Sequence, residues 1–459
     1  MREKISAKLL CAIIATGLMT FSGVVSETAM NVTFPTLMRE FSIGTATVQW
    51  LTTGYLLLLA LTIPLSTFLR KRFSTKSLFI SASVLFIGGT LLCAYSPDFA
   101  CLLGGRLLQG IGTGVALPLM FNIILTQAPK SRIGLIMGIA SLIVSMAPAI
   151  GPVLGGFVVD SYGWREIFLI LLPLLLLSFL LGVTTIEPLA EPQPIRLNVG
   201  DYLLLALSFT CFIFAMEKAA EFGWRGAFVI GLFALSLLAL VLFVARSLSS
   251  AAPLINLSVF YNRTFCYALV FILLIQLCVL GLGYLIPNYS QLGTHQSPSV
   301  AGLLLLPGCL AGAAMAPFSG MAYDHFGARK PILCGAVILL LALIAFALLG
   351  QHLTTPLFML IYTFYAVGQG LAVGNTVTYG LSKLPKELSA DGNAVLNTLQ
   401  QLAGAIGTAI VATLVASAQN ATPQEQLAQA TIDGSQNAFI LLAVLALIAL
   451  FSVSRALTK

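Results

Sequence analysis

Long apolar runs alternate with short polar breaks along the whole chain. A helix that crosses a bilayer needs about 20 apolar residues, and the breaks are rich in Pro, Gly, Asn, Ser and charge, as turns require. The pattern predicts an all-α membrane protein with fourteen transmembrane helices over residues 9–35, 46–69, 77–96, 99–125, 133–158, 165–187, 200–220, 226–246, 264–287, 300–323, 331–350, 355–380, 392–418 and 436–456.

Composition and charge agree with a multi-pass membrane protein. The chain has 459 residues, of which 58% are hydrophobic and 8% charged, whereas soluble domains carry about 25% charged residues. Most lysines and arginines fall in breaks on the same side of the membrane as the N-terminus. An excess of basic residues marks cytoplasmic loops. We therefore expect both termini to be cytoplasmic, and the net charge of +7 indicates membrane orientation rather than nucleic-acid binding.

Segments of the first six spans recur in the last six. Pro64-Leu65-Ser66 and Pro317-Phe318-Ser319 end the second and tenth spans, and Gln109-Gly110 recurs as Gln369-Gly370. The repeat predicts an N-terminal six-helix bundle (1–190), an inserted helix pair (191–255) and a C-terminal six-helix bundle (256–459). Two facing repeats with a site between them near the midplane are typical of secondary transporters.

Glu27 lies inside the first apolar run. If that span ends near Pro35, the carboxylate is about 12 Å deep at 1.5 Å per residue, and an ionised group in lipid costs at least about 2.5 kcal/mol. One interpretation is a helix-end acid that reaches the interface. We favour the other, in which Glu27 binds and releases a proton near physiological pH and a hydrophobic cation replaces that proton.

Arg106 is the basic residue expected inside a span, at a depth similar to that of Glu27. It either satisfies backbone carbonyls between helices or belongs to a functional polar core, and intramembrane charges commonly pair. With little other buried charge expected, Glu27 favours cationic, apolar cargo. Further candidates for lining a substrate cavity are the intramembrane polar and aromatic residues Asn31, Gln49, Trp50, Tyr55, Gln276, Tyr284, Asn397 and Gln400, although each alone is more often a hydrogen-bonding contact between helices.

Several chemistries are excluded or disfavoured by the sequence. No lysine follows a glycine, so the chain lacks the GxxxxGK phosphate loop of ATPases. The three histidines fall in predicted loops and none of the eight cysteines forms a CxxC pair, which disfavours a metal site. We expect no enzymatic activity, no cofactor and no metal.

Five motifs resemble those of a known family. The stretch 317–330 is similar to the cytoplasmic loop motif of the major facilitator superfamily, 102–112 to its fourth-helix motif, and 151–156 to the fifth-helix motif of its antiporters. The stretches 26–35 and 397–401 resemble the first and thirteenth helices of the fourteen-span drug:proton antiporters, the EmrB/QacA-like exporters. Two departures are Glu27 where the family usually has Asp, and a degraded first copy of the loop motif around Lys71.

The resemblance implies a monomeric, proton-coupled exporter of amphipathic, often cationic drugs in a bacterial cytoplasmic membrane. It works by alternating access, driven by the proton gradient, with protons and small molecules as partners and no ATPase. Arg106 would act in proton relay or in the polar core. The same resemblance assigns an antiporter seam to Gly151, Pro152, Gly155 and Gly156, and a cytoplasmic gate to Gly320, Asp324 and Arg329.

Three other functions remain open from the sequence. A lipid or glycolipid translocase would need no cation selectivity. An exporter of a metabolite such as an amino acid or siderophore would carry polar cargo, and a sensor of the same fold would transport nothing.

Overall fold

The computed structural model describes residues 6–127, 133–188, 197–250, 254, 256–423 and 426–458. The secondary structure there is helical, with α1 (Ala7–Phe41), α2 (Thr45–Val48), α3 (Trp50–Arg72), α4 (Thr75–Ala94), α5 (Phe99–Gln127), α6 (Ile133–Ser161), α7 (Arg165–Thr185), α8 (Val199–Phe222), α9 (Ala227–Ser249), α10 (Arg263–Asn288), α11 (Pro298–Leu303), α12 (Leu306–Phe326), α13 (Arg329–Leu349), α14 (Thr355–Ser382), α15 (Ser389–Asn420) and α16 (Leu427–Leu457). A π-helical turn, Tyr289–Gly293, continues α10.

Thirteen helical segments of the described chain are long and apolar enough to cross a membrane. The all-α, multi-pass prediction is therefore confirmed. The predicted fifth span corresponds to α6, where only the shorter apolar segment Met146–Ser161 is recognised. The total of fourteen spans, the repeat and the cytoplasmic termini stay predictions.

The predicted end of the first span near Pro35 is wrong, because α1 continues to Phe41. Proline inside a helix removes one backbone hydrogen bond, but Phe34 and Leu37 on either side are fully buried and hold this turn in place. Glu27 is consequently fourteen residues from the end of α1, about 21 Å at 1.5 Å per residue. The acid is thus farther from the end of its helix than the sequence predicted.

The helices before and after the central pair pack mainly among themselves. We call α1–α7 the N-terminal group and α10–α16 the C-terminal group. In the first, α4 crosses α5 so closely that a Cβ on Gly89 would lie 2.6 Å from the Gly105 carbonyl oxygen. In the second, α13 crosses α14 in the same way, with Gly335 against the Gly368 carbonyl at 2.6 Å. Small residues permit such backbone contact between helices.

The central pair, α8 and α9, lies against both groups. Phe214 of α8 packs on Trp50 of α3 with 4.9 Å between ring centres. On the other side, Thr413 of α15 donates a hydrogen bond to the Met216 carbonyl, 3.3 Å away. Helix α8 therefore covers the line where α3 meets α15.

Buried carboxylates are not confined to Glu27, contrary to the expectation of little other buried charge. The Asp201 side chain at the start of α8 is 0% exposed and accepts a hydrogen bond from Arg246 of α9 at 2.8 Å. Glu217, near the end of α8, is 9% exposed. The argument that a solitary buried acid selects a cationic cargo is therefore weaker than the sequence suggested.

Candidate functional site

Glu27 is buried in the middle of α1, with 8% of its surface exposed. Among the described residues it has no hydrogen-bond partner, and no nitrogen of Arg106 lies within 4.0 Å of its carboxylate. A carboxylate without hydrogen bonds or an ion pair is costly to ionise at this depth. Within the described chain, Glu27 is therefore a buried carboxyl group without a compensating partner.

Arg106 is completely buried and holds three helices together. Its Nε donates to the Leu51 carbonyl at 3.1 Å, and its Nη1 donates to Ser26 Oγ at 2.8 Å and to Gln109 Oε1 at 2.7 Å. The bond to Leu51 is the backbone contact expected from the structural interpretation. The two side-chain bonds join Arg106 to a buried polar cluster, and a functional role for that cluster stays a prediction.

Tyr55 and Gln109 fix the position of the Arg106 guanidinium. The guanidinium carbon lies 4.5 Å from the centre of the Tyr55 ring, and the Tyr55 hydroxyl lies 2.9 Å from Thr113 Oγ1. Gln109 in turn donates to Thr90 Oγ1 of α4 at 2.9 Å. Nη2 of Arg106 has no hydrogen-bond partner among the described residues, so one donor of this fixed cation stays available.

Of the predicted cavity residues, Asn31 and Gln49 lie close together, since both neighbour Thr52. Asn31 Oδ1 accepts a hydrogen bond from Thr52 at 3.0 Å, and Gln49 lies one helical turn before Thr52. Gln276 and Gln400 form a second pair at 3.1 Å between α10 and α15. Gln276 and Gln400 are thus hydrogen-bonded to each other, whereas Asn31 and Gln49 share only Thr52 as a neighbour.

Other predicted cavity residues lie elsewhere. Trp50 contacts Phe214 of the central helix pair, and its place in a substrate cavity stays a prediction. Asn397 donates to the Asn393 carbonyl of its own helix at 2.8 Å. Tyr55 belongs to the Arg106 core described above.

The seam glycines divide between two neighbours of α6. Gly155 faces α1, where a Cβ would lie 2.8 Å from the Ala29 carbonyl oxygen, and Gly151 likewise meets α1 at Thr28. A Cβ on Gly156 would instead collide with the Pro298 carbonyl of α11, and one on Gly302 of α11 with the Pro152 carbonyl. The motif therefore brings α6 into backbone contact with both groups.

The two groups touch at the end of the bundle where α1 ends at Phe41, which we call the distal end. Ser299 N of α11 donates to Asp160 Oδ2 of α6 at 3.0 Å. Thr45 of α2 donates to Gln419 Oε1 of α15 at 2.6 Å. Two hydrogen bonds, one between α6 and α11 and one between α2 and α15, thus join the groups at the distal end.

Two further bonds join the groups nearer the axis. Gln291, in the turn after α10, donates to the Val32 carbonyl of α1 at 2.8 Å. The hydroxyls of Thr53 and Thr408 lie 3.3 Å apart between α3 and α15. A substrate between the groups would have to break these contacts to leave through the distal end.

The predicted gate residues lie at the end of α12 and the start of α13. Gly320 and Asp324 are exposed, as is Arg329. Asp324 has no hydrogen bond to the start of α13 among the described contacts, so the lock predicted from the loop pattern is not formed in this conformation. Its role stays a prediction.

The sequence analysis missed several residues of the site, and simple signals would have found some. Gln109 lies three residues after Arg106 on α5, a spacing that puts two side chains on one helix face. Ser26 directly precedes Glu27, and Asp160 is the acidic residue at the end of α6. Only Thr90, on a different helix, had no such signal.

Comparisons with known proteins identify relatives over nearly the whole chain. A family model described as Major Facilitator Superfamily matches residues 16–408. The chain is 36% identical over 446 residues to the Lincomycin resistance protein LmrB of Listeria monocytogenes, covering 95% of each protein. It is 30% identical over 398 residues to the Multidrug resistance protein B homolog of Mycobacterium tuberculosis, covering 85% of this chain and 73% of that protein.

Solved structures share the fold at low sequence identity. One is a bacterial homologue of the human lysosomal transporter Spinster, in an inward-facing and unoccupied conformation. It superposes with a TM-score of 0.72 at 17% identity, covering 99% of this chain and 98% of that one. At this identity the likeness establishes the overall fold.

Proposed function

The chain belongs to the Major Facilitator Superfamily, and we propose that it is a proton-coupled antiporter that exports drugs across a bacterial cytoplasmic membrane. Its membership makes it a transporter rather than an enzyme. Its relatives are named for resistance to lincomycin and to multiple drugs, which favours drug efflux over lipid or metabolite transport. The expected cargo is amphipathic and often cationic.

The observation that carries the proposal is Glu27, a buried carboxylate without a hydrogen bond or ion pair in the part of the chain described. Such a group is stable when protonated or when a cation lies beside it. Protonation and cation binding therefore compete for one site. This competition couples the movement of a proton in one direction to that of a cationic drug in the other.

Arg106 supports this role from the neighbouring core. Its position is fixed by Leu51, Ser26 and Gln109, while its Nη2 remains unpartnered. When Glu27 loses its proton, a small movement of α1 would let the carboxylate approach this donor. The charge-assisted bond formed there would stabilise the deprotonated state.

Alternating access requires that one end of the bundle closes while the other opens. The distal contacts of Asp160, Thr45 and Gln291 represent one of these two states. Release of cargo at the distal end then needs those bonds to break. Proton binding at Glu27 favours the return to the closed arrangement.

Transport in energised vesicles tests the proposal. Full-length protein is reconstituted into proteoliposomes, and ethidium transport is followed together with proton flux, for wild type, Glu27→Gln and Glu27→Asp. The amide cannot exchange a proton, so we expect Glu27→Gln to lose uphill transport and its proton flux, whereas Glu27→Asp retains both at a reduced rate. Uphill transport by Glu27→Gln at the wild-type rate would refute the proposal.

A further inference from the structure

A layer of polar side chains lies on the distal side of Glu27, where α1 meets α3 and α10. Asn31 follows Glu27 by four residues and so lies on the same face of α1, about 6 Å further along it. Asn31 Oδ1 accepts the hydrogen bond from Thr52 of α3. Its Nδ2 is 3.7 Å from the position that a Cβ on Gly283 of α10 would occupy.

Gln49 lies on the α3 side of this layer. It is 1% exposed, and neither Nε2 nor Oε1 has a hydrogen-bond partner among the described residues. Thr52 and Thr53 follow it at three and four residues, so the three share one helix face. Thr52 bonds to α1 and Thr53 to α15, so this face of α3 lies against both helices.

Tyr284 lies on the α10 side, directly after Gly283. Its side chain is 0% exposed, its ring centre is 5.9 Å from that of Phe34 of α1, and its hydroxyl has no partner in the described chain. Two buried polar side chains, Gln49 of α3 and Tyr284 of α10, therefore have unsatisfied hydrogen-bonding capacity. Leaving such groups unpaired destabilises a protein, so their presence points to a partner that arrives from outside the chain.

We propose that Gln49, Asn31 and Tyr284 form a subsite that hydrogen-bonds hydroxyl or amide groups of the exported compound, one helical turn from the Glu27 carboxylate. This inference rests on the proposed function and names its substrate class. The favoured compounds are amines that also carry hydroxyl or amide groups. Flat cations without such groups would occupy Glu27 alone.

The physical basis of this selectivity is the cost of unpaired polar groups. A site with buried donors and acceptors discriminates strongly against a ligand that cannot pair with them, whereas an apolar pocket discriminates weakly. Gln49 supplies both a donor and an acceptor, and Tyr284 supplies a hydroxyl. Replacing Gln49 with Leu, which has a similar size, should therefore change the preference between ligands.

Binding measurements on the full-length protein in lipid nanodiscs test the subsite. The probes are lincomycin, an amine with hydroxyl and amide groups, and tetraphenylphosphonium, a cation that has neither. For Gln49→Leu we expect the ratio of the lincomycin Kd to the tetraphenylphosphonium Kd to rise about tenfold, a loss of about one hydrogen bond. Tyr284→Phe, which removes one oxygen atom, should raise the ratio several-fold.

Gln127→Leu provides the matched control. Gln127 also carries a buried unpartnered Nε2, but it ends α5, twenty-one residues from Arg106 and about 30 Å along the helix. Its replacement should leave the ratio within twofold of wild type. If Gln49→Leu folds poorly, the ratio of the two Kd values in Tyr284→Phe decides whether the subsite exists.

The outcomes separate the subsite from the proposed function. A ratio within twofold of wild type in Gln49→Leu and Tyr284→Phe, or equal weakening of both probes, overturns the subsite, because structural damage or ordered water then explains these residues. If wild-type protein nevertheless exports tetraphenylphosphonium with proton flux, the proposed function survives. Absence of proton-coupled export of both probes by the wild type overturns the proposed function itself.

Discussion

Replacement of Gly156 by Ala should open the distal end. The added Cβ would collide with the Pro298 carbonyl and lie 3.0 Å from the Ser299 Cα, so α6 and α11 must move apart. Overpacking of this kind costs about 1–3 kcal/mol. The cost falls on the closed conformation alone, since the two helices separate when the distal end opens.

The expected population shift follows from that energy. A difference of about 1–3 kcal/mol lowers the ratio of closed to open protein by about 5- to 150-fold. Hydrogen exchange with mass spectrometry reads this shift directly at α11, Pro298–Leu303, whose amides become exposed as the end opens. We expect faster exchange there in Gly156→Ala than in wild type.

Gly88→Ala is the matched control. Gly88 is also helical, in α4, but a Cβ there would meet nothing within 4 Å. Both variants gain the same intrinsic helix propensity from Ala, so only the collision distinguishes them. Equal exchange of α11 in the two variants would refute the assignment of this contact as the closure of the distal end.

The remaining predictions concern the central pair and the polar core. Arg246→Ala removes the ion-pair partner of buried Asp201 and should lower the free energy of unfolding by about 3 kcal/mol. Asp201→Asn leaves only a guanidinium that is 56% exposed and should lower it by about 1 kcal/mol. A lower Tm for Asp201→Asn than for Arg246→Ala would contradict this. Arg106→Lys cannot keep the three guanidinium bonds and should slow proton-coupled export at least tenfold, measured in proteoliposomes; a wild-type rate contradicts it. Trp50→Ala removes the contact with Phe214 and should lower the Tm while leaving the tetraphenylphosphonium Kd within twofold; a weaker Kd would return Trp50 to the substrate site.

The positions of the helices were predictable because lipid imposes one simple pattern. Each of the thirteen candidate spans in the described chain is apolar over about the length that a bilayer requires. The ends were less predictable. Pro35 predicted the end of the first span, but the helix continues to Phe41, and Glu40 in its last turn accepts bonds from Trp164 and Arg165 at the start of α7 at 2.6 and 2.7 Å.

The chemistry of the site was predictable only where charge is rare in the sequence. Glu27 and Arg106 were found because lipid makes each of them costly. Trp50 and Thr52 are two residues apart in the sequence, yet Trp50 packs on Phe214 of α8 and Thr52 donates a hydrogen bond to Asn31 of α1. Packing between helices that are distant in the sequence decides which side chains face which neighbour. Hydropathy carries no information about this.

The glycine crossings of α4 with α5 and of α13 with α14 have a mechanical consequence. Where Gly89 meets Gly105 and Gly335 meets Gly368, backbone rests directly on backbone, and no side chain can change rotamer to absorb sliding. Each pair is thereby locked in register, so bending inside a group is resisted. Relative movement of the two groups therefore has to occur at the boundary between them, where the contacts include side-chain hydrogen bonds such as those of Asp160 and Thr45.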